Sequence, residues 1–129
     1  MADYTVKNLK DVTNAAEQFG IEGMEARFAK KPLELGNFGL SYQKLGPNFR
    51  QPFGHRHGTQ EEAYIVLAGD GRVKVEDDIV ELKQWDAIRV PGDAARQFES
   101  GPNGLEFLAI GAPQADDTEM VQGWWAEAD

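Results

Sequence analysis

The chain has 129 residues and no cysteine, so it holds neither a disulfide scaffold nor a thiolate catalytic or metal site. Its 13 basic and 22 acidic residues leave a net charge of −9, which speaks against a nucleic-acid backbone or an anionic membrane surface as partner. The length suits one domain over 1–129. No apolar run approaches the roughly 20 residues that cross a bilayer, and the start, "MADYTVKNLK", lacks the apolar core of a signal peptide, so a cytoplasmic protein is expected.

Apolar residues at Val6, Leu9, Val12, Ala15, Ala16 and Phe19 recur at intervals of three and four. That spacing predicts a helical segment over 5–19, as one short helix or two turns, with Asp11 or Asn14 as cap. Gly20 and Gly23 end it. From Met24 the character changes to stretches of four to eight residues in which apolar and polar side chains alternate, separated by Gly, Pro, Asn or Asp. Such a series predicts an antiparallel sandwich or barrel, with its core over about 24–111. "AGDGR" (68–72) and "EDDI" (76–79) read as hairpin turns. Phe49, Phe53, Tyr64, Phe98 and Phe107 are expected inside the barrel. The remainder, 112–129, is acidic and then aromatic, and reads as an arm whose Trp124 and Trp125 pack back onto the barrel.

Both histidines fall in "HRHGTQEEAYIVLAGDG" (55–71). In a strand, residues two apart share a face, so His55 and His57 point one way and Arg56 the other. On the following strand Glu62, Tyr64 and Val66 share a face, and a hairpin can bring Glu62 beside the two imidazoles. Two histidines and a carboxylate with open positions form the facial arrangement used by non-haem iron and related divalent metals. A lone histidine pair recurs by chance. Here a turn, a glutamate, an apolar strand and a glycine follow it in order.

That order resembles the first motif of the cupin family: His-x-His, three or four residues, Glu, six residues, Gly. His55, His57, Glu62 and Gly69 fill it; Glu61 fits the shorter spacing but does not land the glycine. Upstream, Phe49 stands where the family has a glycine, and Gly46 is the nearest candidate. In the second motif Pro91 is in register and Asp86 matches. Trp85 and Asp93 replace glycines, Ser100 replaces an asparagine, and Arg96 stands where the fourth metal ligand, a histidine, is expected. The resemblance implies an all-β, double-stranded β-helix or jelly-roll barrel with a short N-terminal helical segment. It implies a divalent metal (iron, manganese, nickel, zinc or copper) on His55, His57 and Glu62, a small-molecule ligand and a homodimer.

Arginine has no lone pair to give a metal. Arg96 therefore leaves three readings open. The three ligands hold a metal while Arg96 binds a substrate anion at the rim; or Arg96 pairs with Glu62 in a metal-free pocket for an organic anion; or these groups are buried polar remnants. Tyr64 and Phe98 share the inward faces of Glu62 and Arg96, and with Gln51 and Gln60 they complete the expected substrate side. The corresponding functions are a metal-dependent dioxygenase or isomerase, a binding module without turnover, and a structural dimer.

Overall fold

In the computed structural model, which describes residues 2–112 and 118–125, two short helical turns precede eight strands. The first turn is a 3-10 turn over Leu9–Asp11 capped by Asn8; the second, α1, covers Ala15–Gln18 and is capped by Asn14. Each asparagine binds a backbone N–H two residues on, which starts a new turn instead of continuing the old one. Asn14 also accepts from the backbone N–H of Ala26 at 3.0 Å, tying α1 to the first strand.

The strands are β1 Met24–Phe28, β2 Gly39–Leu45, β3 Phe53–Arg56, β4 Glu62–Val75, β5 Asp78–Lys83, β6 Ala87–Val90, β7 Arg96–Gly111 and β8 Glu119–Gln122. Every pairing among them is antiparallel. The sheet runs β1-β2-β7-β3-β8, and β4 joins β7 while carrying β5 and β6. The two long strands, β4 and β7, pair along most of their length and bend together, curling the sheet into a jelly-roll barrel.

The bend corrects one expectation. "AGDGR" is no hairpin turn: it lies inside β4. Register shifts fall between Val66 and Ala68 and between Gly69 and Gly71, and residues 101–104 of β7 stand opposite Asp70. Gly69 and Gly104 face one another, both at φ +77°, and a Cβ on Gly69 would lie 2.0 Å from the Gly104 carbonyl oxygen. Glycine here permits bulged strands to cross closely while keeping their pairing. The "EDDI" turn stands as expected, with Val75 paired to Asp78 across Glu76 and Asp77.

Inward side chains of β2, β4 and β7 make the core: Leu45, Tyr64, Val66, Val73, Phe98, Leu105 and Phe107 are all buried. Phe98 stacks on Phe107 at 4.4 Å between ring centroids, and Tyr64 lies 4.8 Å from Phe98. Phe49 packs on the edge of this cluster, whereas Phe53 lines a cavity beside it. The arm after the barrel adds β8 to β3 through four register pairs. Trp125 is buried under Arg50, whose guanidinium carbon lies 4.2 Å from the ring centroid, and Lys74 sits 4.5 Å from the Trp124 ring. The remaining residues of the expected arm, 113–117 and 126–129, lie outside the described ones.

Candidate metal centre

Strand β3 is extended, so His55 points into the barrel and Arg56 away from that face. His57 follows the strand end, where its backbone N–H donates to Gly92 O at 2.7 Å. Glu62 opens β4 on the inward face. The Nε2 atoms of His55 and His57 lie 3.5 and 3.4 Å from the same oxygen, Glu62 Oε1. The ligand atoms of these three residues all fall within 4.8 Å of one another. Such separations exceed the roughly 2.7–3.2 Å of an ordinary hydrogen bond and match donors arranged about a common ion. Two imidazoles and a carboxylate also suit a borderline divalent metal chemically. The residues present therefore fit the group.

The second coordination layer is built around Glu62. Burial would raise its pKa, but the approach of His55, the hydrogen bond from Tyr64 and the charge of the two imidazoles when protonated and metal-free outweigh that and hold it at about 2. It is a carboxylate wherever the protein is folded near neutral pH. Tyr64 donates its hydroxyl to Glu62 Oε1 and accepts from Arg96 Nε at 3.1 Å. Burial and the adjacent carboxylate push the Tyr64 phenol well up, against Arg96, so it remains a proton donor. Gly111 lies opposite Glu62 in the sheet, and a Cβ there would meet Glu62 Cγ at 2.9 Å. On the far side of His57, Thr118 Oγ1 lies 3.1 Å from Nδ1. That contact directs Nε2 inward, as a partner on the second nitrogen does in metal-binding histidines.

Arg96 differs from its expected place at the rim. It is 0% exposed and lines no part of the cavity. Its Nη1 donates to Ala94 O at 2.7 Å and to Gly92 O at 3.2 Å, and its Nη2 lies 3.4 Å from Glu62 Oε1. The register explains this: Arg96 opens β7 directly opposite His55, so its side chain runs under the metal ligands. Phe98, likewise proposed for the ligand side, is 1% exposed and belongs to the core beneath Tyr64. Tyr64, Gln51 and Gln60 do reach the cavity. Gln51 spends its polar groups on the fold, since its Oε1 accepts from Phe98 N at 2.9 Å and its Nε2 donates to Gln43 Oε1 at 3.3 Å. Gln60 stands 3.5 Å from Glu62 Oε2.

The cavity has a volume of about 460 Å³ and opens from the triad between α1, β1, β2 and β8. Thr118, Gln43 and the apolar wall from Phe19, Phe28 and Met120 were not expected from the sequence. Thr118 follows an acidic run, and nothing local to it marks a partner of His57. Pairing of β8 with β3 brings it there.

No family model matches the chain. Over 87 residues, 67% of this chain, it is 36% identical to the dimethylsulfoniopropionate lyase DddW of Ruegeria pomeroyi. The chain spans about half the length of the curated relatives it matches. Among solved structures it superposes on a cupin protein of Bacteroides fragilis with a TM-score of 0.72, at 22% identity, covering 90% of this chain and 89% of that one. The polyketide cyclase RemF of Streptomyces resistomycificus gives 0.73 at 20% identity, covering 92% and 84%. By its barrel, and by the His55, His57, Glu62 and Gly69 motif set into it, this chain has the cupin fold.

Proposed function

We propose that this cupin-fold protein binds a divalent metal through His55, His57 and Glu62 and uses it to hold the oxygen of a small organic anion. The convergence of three ligand atoms within 4.8 Å carries this reading. When bound, the ion acts as a Lewis acid on the coordinated oxygen. Glu62 supplies the negative ligand, and Arg96 balances its charge from behind. Neutral imidazoles add none, so a divalent ion there keeps a net attraction for anions. The anion thus goes to the metal, and Arg96 positions Glu62. Oxygen-dependent, isomerising or, by likeness to the Ruegeria lyase, eliminating chemistry would be open to an anion held there. A homodimer belongs to this reading too, by likeness to the cupin fold; Asn14 already covers part of the outer edge of β1, through Ala26 N–H and a bridge to Arg27.

A metal-free pocket based on Glu62 and Arg96 is the second reading, favoured by their 3.4 Å approach. Elemental analysis of protein purified without chelator separates the two. About one equivalent of metal, lost in His57→Ala and Glu62→Ala, is expected. Metal-free protein that gains none on titration with iron, manganese, nickel, zinc or copper would overturn the first reading.

A further inference from the structure

The walls of the cavity say what kind of molecule the metal would hold. Apart from Glu62, Lys30 is the one formally charged residue among the described ones that line it. Lys30 lies three strands across the sheet: it follows Phe28, which pairs with Ser41, and the row continues through Gly39 and Gly111 to Glu62. At the usual strand spacing that is about 14 Å. Between them the polar side chains satisfy each other. Gln51 donates to Gln43, and Gln43 donates to Ser41 Oγ at 3.2 Å. Gln60 and Thr118 stand beside the triad, at Glu62 and His57; away from it the wall is otherwise apolar, and at the mouth Phe19 and Phe28 are 80% and 58% exposed. A volume of about 460 Å³ lies in the range of roughly 300–1,000 Å³ that encloses drug-sized ligands. A two-carbon acid would leave most of it to water. A polyhydroxylated or zwitterionic body would bring polar groups that this wall leaves without partners.

We infer that the ligand is amphiphilic: an oxyanion for the metal, joined to an uncharged, apolar body that lies along the cavity toward Phe19 and Phe28. This rests on the metal reading above, and the test separates the two. Cobalt(II) is first titrated into the metal-free protein. Acetate, butanoate, hexanoate and octanoate are then titrated into the cobalt protein, each read from the visible absorption of the ion. Affinity is expected to rise by about fourfold per added methylene. The double variant Phe19→Ser, Phe28→Ser is expected to flatten the series, losing the gain from the last methylenes. Failure of cobalt to bind overturns the metal reading and this inference with it. Cobalt uptake with a flat series, or with gluconate held as tightly as octanoate, overturns this inference alone.

Discussion

Arg96 shows how a substitution at one position redirects a site without abolishing it. A buried guanidinium needs partners, and here two carbonyls, a phenol and a carboxylate provide them. Removing it leaves Glu62 charged and buried without its counter-ion. Arg96→Met is therefore expected to lower unfolding free energy by about 3–5 kcal/mol, measured by urea titration. Added zinc should recover more stability in that variant than in the parent, because the ion then replaces the missing charge. Trp85 is the converse case. It stands where the family has glycine, and the backbone keeps the conformation glycine would take, φ +72°, with the ring 70% exposed. Little packing is at stake, while a left-handed backbone costs a side-chain-bearing residue about 1–2 kcal/mol. Trp85→Gly is expected to raise the unfolding free energy by an amount in that range, less glycine's entropy cost, read as a higher urea midpoint at unchanged slope.

At the scale of elements, most strands were legible because alternation marks a half-buried face. The His55, His57 and Glu62 cluster was legible because period two and a fixed turn put the three together. What escaped was pairing at a distance. "AGDGR" has the composition of a turn, yet Gly104 opposite it makes the glycines a crossing point inside β4. Arg96 was legible as a site residue with three places open to it, and only the register with His55 shows that it runs beneath His55 and Glu62 and not at the rim. The tryptophans were expected to pack back, but the arginines that receive them lie 75 and 53 positions before Trp125 along the chain. Glu99 organises those arginines. Burial would raise its pKa, but hydrogen bonds and charge from Arg72 and Arg50 hold it down. A depressed carboxylate stabilises above its ordinary range and loses that contribution as pH falls through its folded value. Acidification should therefore loosen the cover on Trp125 before the barrel unfolds, seen as a tryptophan emission shift in a Trp85→Phe background. Glu99→Gln should abolish the pH dependence of that step.

For the whole molecule, net charge and site charge differ in sign. A surface of −9 repels anions at long range, whereas the metal centre would attract them at short range. Association of an anionic probe with the cobalt protein is accordingly expected to speed up with added salt, measured by stopped flow between about 0.01 and 0.15 M. The arm also extends the sheet beside the site. Strand β8 pairs with the strand that bears His55, and Thr118 touches His57. With an ion bound on His57, arm and ion would share one equilibrium, and linkage would make their effects reciprocal. Whatever strengthens one must strengthen the other by the same factor. Occupancy of the centre would then be readable from outside: a protease cutting within β8 should work more slowly on the loaded protein, and a grip on that strand would retune how firmly the centre keeps its ion.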